Sequence, residues 1–386
     1  MKLTNNRYYL DLNATSPLAD SVKEYLARGE FVFANPSSGH SEGKIAKRLI
    51  MDTSDYLYGL FNFSETDFKL FYHSGATEAI NSIAKGFAFA HDMGNFFYFG
   101  TDHSAVRNQK EQLEKLNCLV HELPVNPDGS FDEALIIEKI NGQSGPKLVN
   151  FTWVNNETGA VHLLESIFRV KEATGAIIHV DAVQSVGKIA DWEKLHSGLD
   201  AYTYSGHKFG TLKNVGFTFM REGLPIQSMI KGGGQQSGLR SGTENAMGVA
   251  TLMLALIELK ETFNPEELLK AKSAFEAKLV DALKDKGEVV AYTNANRGLN
   301  TLNFILYDTK SQTLATALDL GGIDISTGSA CASGTVTPSP VLMSMGYSEQ
   351  LSKSAIRLSF HYQFNLSQVD EYWNAFSRIL TRFLQF

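Results

Sequence analysis

The 386-residue chain has few cysteines and no long apolar run. Two cysteines, Cys118 and Cys331, are too few for a disulfide framework, so we expect a reducing, cytoplasmic compartment. No run approaches the roughly 18 apolar residues that span a bilayer, and the first residues lack the apolar segment of a secretory signal. We therefore expect a soluble protein that makes no contact with membranes.

Other absences exclude whole classes of site. The net charge is −7 and the 35 Lys and Arg residues are dispersed, which argues against direct nucleic-acid binding. Without a C-x-x-C pair or clustered Cys and His residues, no metal site is expected. Hydrophobic residues make up 43% of the chain, enough for a sizeable core, and the length favours two domains.

Strand-like and helix-like stretches alternate through the first two-thirds of the chain. Residues 76–90 have apolar positions at helical spacing. Runs rich in aromatic and β-branched residues predict strands at 67–75, 95–100, 147–154, 176–182 and 200–206. This alternation predicts an α/β fold with a mainly parallel sheet and helices on both faces. In such sheets, ligands bind beyond the carboxyl ends of the strands.

The pattern changes near residue 262. Residues 261–287 indicate one long, charged amphipathic helix, short strands are expected at 299–307 and 322–327, and a further helix closes the chain. This α+β layout predicts a second, smaller domain. We expect a large domain at 14–260, and a small domain made of 1–13 together with 261–386.

A lysine and a carboxylate follow two of the predicted strands. Lys208 in "SGHKFG" comes after one strand, and Asp181 ends another, with Gln184 three residues later. Taken singly, the lysine is typical of a solvated surface and the acid of a helix N-cap. Together they are what pyridoxal phosphate requires, because a lysine holds this cofactor as a Schiff base and an acid keeps its pyridine nitrogen protonated.

A candidate cradle for the cofactor's phosphate accompanies them, although the same segment taken singly is typical of an ordinary strand–turn–helix with a Ser/Thr cap. The segment "SGATEAIN" places Gly75, Ala76 and Thr77 where a predicted strand passes directly into a helix. Free backbone N–H groups and the positive end of a helix dipole bind anions at such a turn. Ser205 and His207, next to the lysine, are candidate donors to the same phosphate.

The chain resembles the pyridoxal-phosphate-dependent cysteine desulfurases of the class V aminotransferase group almost from end to end. The motifs that carry the resemblance are, in order, "YLDLNATSP" (9–17), "NPSSGHSEGKIA" (35–46), "SGATEAIN", "DHSAV", "NNETG" (155–159), "VDAVQSVGK" (180–188), "SGHKFG", "GGGQQSGLRSGTEN" (232–245), "STGSACASG" (326–334) and "AIRLS" (355–359). The resemblance implies the fold-type I architecture, with a large cofactor-binding domain, a smaller α+β domain, and a homodimer with shared active sites.

The same resemblance implies the roles of the cofactor-binding residues. Lys208 would form the Schiff base, Asp181 would pair with the pyridine nitrogen, Gln184 would bond the phenolic oxygen, and His103 would stack on the ring. The residues implied to hold the phosphate are Gly75, Ala76, Thr77, Ser205, His207 and, from a partner subunit, Thr243.

The implied reaction converts L-cysteine to L-alanine. Arg357 would clamp the substrate carboxylate, because its planar fork matches a carboxylate bidentately, and Asn155 and Asn13 would contact the substrate. Lys208 would abstract the Cα proton as a general base. Cys331 would take the sulfur as a persulfide and pass it to an acceptor, either an iron–sulfur scaffold or a thiolation carrier.

Small residues surround Cys331, and none is bulky enough to shield its thiol. The attacking species is the thiolate, and an unperturbed cysteine has a pKa of about 8.5. Our hypothesis is that His103 assists its deprotonation. Cys118 lies in an apolar run instead, and we expect it to be a buried small hydrophobe without chemistry.

Two alternative functions stay open. One is another enzyme of the group, a selenocysteine lyase or a class V aminotransferase, although a transaminase would not need Cys331. The other is a non-catalytic paralogue that serves as a scaffold for a sulfur acceptor. His361 and Tyr362 replace a Gly-Arg pair that is frequent in the family, so the effect of this departure on substrate specificity is open as well.

Overall fold

The computed structural model describes residues 1–3, 6–29, 31–327 and 337–384, so that Cys331 lies outside the described residues. The strands are β1 (Tyr8–Tyr9), β2 (Phe68–His73), β3 (Asn95–Phe99), β4 (Leu119–Leu123), β5 (Lys147–Thr152), β6 (Ile177–Asp181), β7 (Ala201–Ser205), β8 (Gly216–Arg221), β9 (Gly287–Val289), β10 (Thr301–Leu306), β11 (Ile323–Asp324), β12 (Ser326–Thr327) and β13 (Ala355–Ser359). The helices are α1 (Asp20–Arg28), α2 (Ser41–Phe61), α3 (Ala76–Ala90), α4 (Ser104–Arg107), α5 (Lys110–Glu114), α6 (Glu133–Asn141), α7 (Leu164–Thr174), α8 (Ala246–Thr262), α9 (Pro265–Leu283), α10 (Ser311–Leu320), α11 (Pro340–Ser344), α12 (Glu349–Ser352) and α13 (Val369–Leu384).

The large sheet has seven strands in the order β2-β8-β7-β6-β5-β3-β4. The five strands from β7 to β4 run parallel, whereas β8 is antiparallel to both of its neighbours. Strands β3, β5, β6 and β7 are buried along almost their whole length, as expected for a sheet that is covered on both faces. The α/β prediction with a mainly parallel sheet is confirmed.

Helices cover the two faces of this sheet with separate cores. On one face, Tyr202 and Phe217 of the sheet pack in one core with Leu57 of α2 and Leu256 of α8. On the other face, α3 contributes apolar side chains such as Phe87 to a second core. Because β-strand side chains alternate between faces, the polar residues that share a face with α3 reach the site described below.

The helix boundaries show where local signals decided the fold. Helix α3 spans Ala76–Ala90, as predicted. The single helix expected over 261–287 was wrong at its start, because α8 continues to Thr262 and α9 begins only at Pro265. The Asn264 side chain accepts a hydrogen bond from the Glu267 backbone N–H at 3.1 Å, and a proline at the first helical position lacks only an N–H that would be unpaired anyway.

A second, antiparallel sheet has the strand order β12-β13-β10-β9. Its core combines Phe304 and Ile356 of the sheet with Phe275 of α9 and Phe376 of α13. Leu10, from the start of the chain, is buried in the same core. Among the helices in the described part of the chain, none is both long and apolar enough to cross a bilayer.

The N-terminal segment connects the two sheets. Strand β1 pairs in parallel with β11, and the Ser359 N–H at the end of β13 donates to the Leu10 carbonyl at 2.7 Å. A few residues later, the Ser16 N–H donates to the carbonyl of His207, next to the large sheet. Residues 11–15 therefore form a wall between the two sheets, at the carboxyl ends of the large-sheet strands.

Candidate active site

A cavity of about 800 Å³ opens beyond the carboxyl ends of β5, β6 and β7, next to the start of α3. This volume is typical of small-molecule sites, which occupy roughly 300–1,000 Å³. The predicted site residues that line it are Asn13, Gly75, Ala76, Thr77, His103, Asp181, Gln184, Ser205, His207, Lys208 and Arg357. Folding therefore brings these side chains together from segments that are far apart in the chain.

Lys208 ends a single 3₁₀ turn that follows β7 directly. Its Nζ donates to the carbonyl oxygens of Asn13 at 2.8 Å and Ala14 at 2.9 Å. Burial and the positive charge of Arg357 lower the pKa of Lys208 to about 8, and the negative charges of Asp11 and Asp181 partly oppose this shift. A lowered pKa leaves more of the amine unprotonated, which is the form that reacts with a carbonyl group.

Asp181 is the last residue of β6 and is buried. Its Oδ1 accepts a hydrogen bond from the Val183 N–H at 3.1 Å. Burial raises the pKa of Asp181 to about 6, opposed by that N–H group and by the charge of Lys208. Because an adjacent cation stabilises the ionised form of a buried carboxylate, this side chain is suited to hold a protonated ring nitrogen.

The Gln184 side-chain amide is fixed at both ends. Its Nε2 donates to the Asn13 carbonyl at 2.9 Å, and its Oε1 accepts a hydrogen bond from Nζ of Lys188. Lys188 is buried, and burial together with the positive charges of Lys208 and Arg357 puts its pKa well below the usual range. Lys188 therefore sets the orientation in which the Gln184 amide meets the cavity.

Buried polar side chains form a row across the large sheet, on the face that carries Asp181. Its members, joined by successive hydrogen bonds of 2.7 to 3.0 Å, are His73, Thr218, Thr203, His179, Asn150 and Asp102. His179 lies two residues before Asp181 in β6 and so faces the same side of the sheet. Burial lowers the pKa of His179 to about 3 and raises the pKa of Asp102 to about 7. The row satisfies buried polar groups directly beneath the site.

The predicted phosphate cradle lies at the N-terminus of α3. Gly75 has a φ of 156°, a conformation that favours glycine, and places the first N–H groups of α3 at the cavity wall. His207 shares a 3.2 Å hydrogen bond between its Nδ1 and the Thr15 hydroxyl. Burial and nearby lysine charges lower the pKa of His207 to about 4, so the neutral ring offers a single N–H donor.

His103 precedes α4 and lines the cavity. Its Nδ1 accepts a hydrogen bond from the Ala105 N–H at 3.1 Å. Partial burial and the positive charges of Lys208 and Arg107 lower the pKa of His103 to about 4. A neutral ring whose Nδ1 is an acceptor carries its proton on Nε2. In this arrangement, His103 is a donor from Nε2, and accepting a proton requires loss of the Ala105 contact at Nδ1.

Arg357 lies in β13, at the centre of the small sheet, and is 7% exposed. Its Nη2 donates to Oδ1 of Asp11 at 2.7 Å, and its Nη1 donates to the Asn156 carbonyl at 3.1 Å. Its Nε has no hydrogen-bond partner among the described residues. The expected partly buried, paired guanidinium is therefore present in the cavity wall.

Two predicted site residues are not in the cavity wall, and a third lies outside the described residues. The Asn155 Nδ2 donates to the Thr101 carbonyl, and its Oδ1 accepts from two N–H groups of its own turn. Thr243 is exposed and lies outside the cavity of its own chain. Cys331 lies outside the described residues, although Ser326 and Thr327, the last residues described before it, line the cavity.

Comparison with known proteins assigns the family. The model of the aminotransferase class-V family matches residues 8–372. The chain belongs to this family. It is 33% identical over 379 residues to a cysteine desulfurase of Bradyrhizobium diazoefficiens, covering 97% of this chain and 94% of that protein.

Solved structures resemble the protein over nearly its whole length. The NifS-like protein from Rickettsia africae matches with a TM-score of 0.85 at 28% identity, over 97% of this chain and 99% of the other. SspA in complex with cysteine matches with a TM-score of 0.76 at 26% identity, over 92% and 98% of the two chains. The protein therefore has the fold-type I architecture of pyridoxal-phosphate enzymes.

Pyridoxal phosphate is the cofactor of this class-V branch, and the cavity fits it. The cavity offers an amine with a lowered pKa at Lys208, a buried carboxylate at Asp181 and a glycine-led helix N-terminus. These are the groups needed for a carbonyl carbon, a ring nitrogen and a phosphate, respectively. The donor set therefore agrees with the cofactor of the family.

The departure at His361 and Tyr362 lies away from the cavity. Both residues line a separate pocket of about 270 Å³ near the N-terminus. The Tyr362 hydroxyl reaches Glu258 at 3.4 Å, and burial with nearby positive charge lowers the pKa of His361 to about 4. Neither residue lines the main cavity.

Sequence reasoning missed several charged residues that line the cavity or contact its lining residues, among them Asp11, Lys188 and Glu157. Asp11 pairs with Arg357, Lys188 bonds Gln184, and Glu157 lines the cavity and accepts a hydrogen bond from the Ser339 hydroxyl at 2.5 Å. Asp11 and Lys188 both lie within motifs quoted above, "YLDLNATSP" and "VDAVQSVGK". Their place within these motifs was the signal that could have identified them.

Proposed function

We propose that the protein is a cysteine desulfurase that converts L-cysteine to L-alanine and captures the sulfur as a persulfide on Cys331. In this reaction the substrate C–S bond breaks, an S–S bond forms to Cys331, and the protons of the two thiols are redistributed between alanine and the persulfide. The observation that carries the proposal is one cavity lined by Lys208, Asp181 and Arg357, beside the strand that leads in sequence to Cys331.

Pyridoxal phosphate, when bound, acts as an electron sink for the substrate Cα. Lys208 holds the cofactor and then removes the Cα proton at Nζ, for which its lowered pKa of about 8 is suited. Asp181 would keep the ring nitrogen protonated, and Gln184 would bind the phenolic oxygen in the orientation set by Lys188. His103, which lines the same cavity, would also contact the ring.

The phosphate is held at the start of α3 by Gly75, Ala76 and Thr77, together with Ser205 and His207. This role is supported by their common position in the cavity wall and by the free N–H groups of a helix N-terminus. A homodimer would complete the site with Thr243 of the partner subunit. The exposure of Thr243 in its own chain agrees with that role.

At the substrate end, Arg357 lines the cavity and binds the carboxylate through its guanidinium group. Asn13, which is buried and lines the cavity, contacts the substrate. The proposal also includes a substrate contact of Asn155. Cys331 attacks the substrate sulfur, and His103 assists deprotonation of its thiol, which requires that Nδ1 of His103 give up the hydrogen bond from the Ala105 N–H.

The broader assignments belong to the same proposal. Residues 14–260 form the large cofactor-binding domain, and 1–13 with 261–386 form the small domain, in line with the two sheets and their cores. The sulfur passes to an acceptor protein of the iron–sulfur scaffold or thiolation-carrier type. The two cysteines and the thiol chemistry favour a reducing cytoplasm.

The test is product analysis with purified protein, pyridoxal phosphate and L-cysteine. We expect alanine and sulfide in equal amounts when a reducing thiol is present, and loss of both in Cys331→Ala. Undiminished alanine release from Cys331→Ala would refute the role of Cys331. Turnover of L-selenocysteine alone would favour a selenocysteine lyase, an oxo acid product a transaminase, and no turnover at all a scaffold protein.

A further inference from the structure

The carboxylate of Asp11 occupies part of the Arg357 fork. Its Oδ1 lies 2.7 Å from Nη2, and both side chains are largely shielded from solvent, at 18% exposure for Asp11 and 9% for Arg357. The two residues are 346 positions apart in sequence, so the contact exists only in the folded chain. An ion pair in so shielded a place is screened little by salt or water.

The same Asp11 oxygen has a second partner. Oδ1 also accepts a hydrogen bond from the Ser326 hydroxyl at 2.8 Å. Ser326 pairs with Arg357 between β12 and β13, and lines the cavity with it. Asp11 is therefore shared between Arg357 and Ser326, and each partner weakens the hold of the carboxylate on the other.

A substrate carboxylate that reaches Arg357 meets this internal carboxylate. Two carboxylates beside one guanidinium repel each other, and such like-charge contacts cost substantial binding free energy where solvent is excluded. The incoming group must therefore share the fork with Asp11 or displace it. Either way, the charge of Asp11 opposes binding of the substrate carboxylate.

We propose that Asp11 is a specificity-determining residue, an internal competitor of the substrate carboxylate at Arg357 that sets the affinity of the site for carboxylate ligands. This inference rests on the role of Arg357 in the proposed function. If Asp11 only held Arg357 in position, removing its charge would not strengthen carboxylate binding. As a competitor, Asp11 predicts that carboxylates bind more tightly when its charge is removed and its hydrogen bonds are kept.

The test measures calorimetric binding of two fragments of cysteine to the enzyme loaded with cofactor, so that it does not depend on turnover. The carboxylate probe is 3-mercaptopropionate, and the probe without a carboxylate is cysteamine. Asp11→Asn keeps the acceptor for Arg357 and Ser326 but removes the charge. It should bind 3-mercaptopropionate on the order of tenfold more tightly, with cysteamine changed less than about twofold.

A second variant predicts the opposite sign. Ser326→Ala leaves Asp11 with Arg357 as its remaining partner, so 3-mercaptopropionate should bind about two- to threefold more weakly. The matched control is Asp324→Asn. It removes a carboxylate that lies two residues before Ser326 in the sequence and pairs with Arg7 outside the cavity. Its binding of both probes should match that of the unmodified enzyme.

Unchanged or weaker binding of 3-mercaptopropionate by Asp11→Asn would overturn the inference. Arg357→Gln separates this failure from that of the proposed function. If Arg357→Gln abolishes the binding of 3-mercaptopropionate, the carboxylate clamp stands and the sign of the Asp11→Asn effect decides. If Arg357→Gln binds that probe normally, both the clamp and the competitor role of Asp11 are refuted.

Discussion

Replacement of Lys188 by methionine tests the buried amine that orients Gln184. Lys188 is 5% exposed, and its Nζ bonds the Gln184 Oε1. Burial, with the charges of Lys208 and Arg357, puts its pKa well below the usual range. The folded protein therefore binds fewer protons at this site than the unfolded chain, in which a lysine has a pKa of about 10.4.

The sign and size of the effect follow from proton linkage. Because the unfolded state binds the extra proton, the free energy of unfolding rises with pH between the native pKa of Lys188 and about 10.4, by about 1.4 kcal/mol per pH unit. Lys188→Met has no such group. Lys208 and Lys272, whose pKa values are lowered to about 8, contribute equally to both proteins and cancel in the difference.

The assay is urea unfolding of both cofactor-free proteins at several pH values. Up to about pH 10, the free energy of unfolding of the unmodified protein should rise with pH relative to that of Lys188→Met. Lys270→Met, which removes an exposed lysine of α9, controls for the loss of one positive charge and should give a flat difference. A flat difference for Lys188→Met as well would refute the linkage argument.

The same substitution should also weaken the site. Without Lys188, the buried Oε1 of Gln184 loses its partner, at a cost of about 1–3 kcal/mol unless the amide turns. We therefore expect Lys188→Met to bind pyridoxal phosphate at least roughly tenfold more weakly than the unmodified protein, as measured by equilibrium dialysis. Unaltered cofactor affinity would show that Lys188 does not orient Gln184 for the cofactor.

Three further substitutions test the cofactor site. Lys208→Ala should lose the visible absorption band of the bound cofactor and all alanine formation, and retention of either would contradict its role. Asp181→Asn should lower alanine turnover about 10²- to 10³-fold, with partial recovery in Asp181→Glu, as expected for loss of a preorganised charge. His103→Ala should slow formation of the persulfide, followed by single-turnover kinetics, and a full rate would refute its part in proton transfer.

Much of the site could be predicted from the sequence because the carboxyl ends of parallel strands gather at one edge of a sheet. Lys208 follows one recognisable strand and Asp181 ends another, so their meeting in one cavity required only the alternation of strands and helices. The start of α3 could also be predicted, because Gly75 separates a strand from a helix whose apolar residues recur at helical spacing.

Contacts between distant segments could not be predicted in this way. The pairing of Asp11 with Arg357 depends on how the N-terminal segment passes between the two sheets, which no local pattern encodes. The amide of Asn155 was expected to reach a ligand, but the structure uses it within its own turn and against Thr101. Propensity and motif spacing indicate which residues are available, whereas packing decides which atoms are left to bind a ligand.

The route of the sulfur is the central claim, and the two cysteines allow a matched test. The purified holoenzyme is incubated with L-cysteine that carries a radioactive sulfur, and the label on the protein is followed with and without a reducing thiol. Cys118 is buried, and burial raises its pKa to about 11, so Cys118→Ala should keep a label that the thiol releases. Cys331→Ala should carry no label. Labelled Cys331→Ala, or unlabelled Cys118→Ala, would contradict the account.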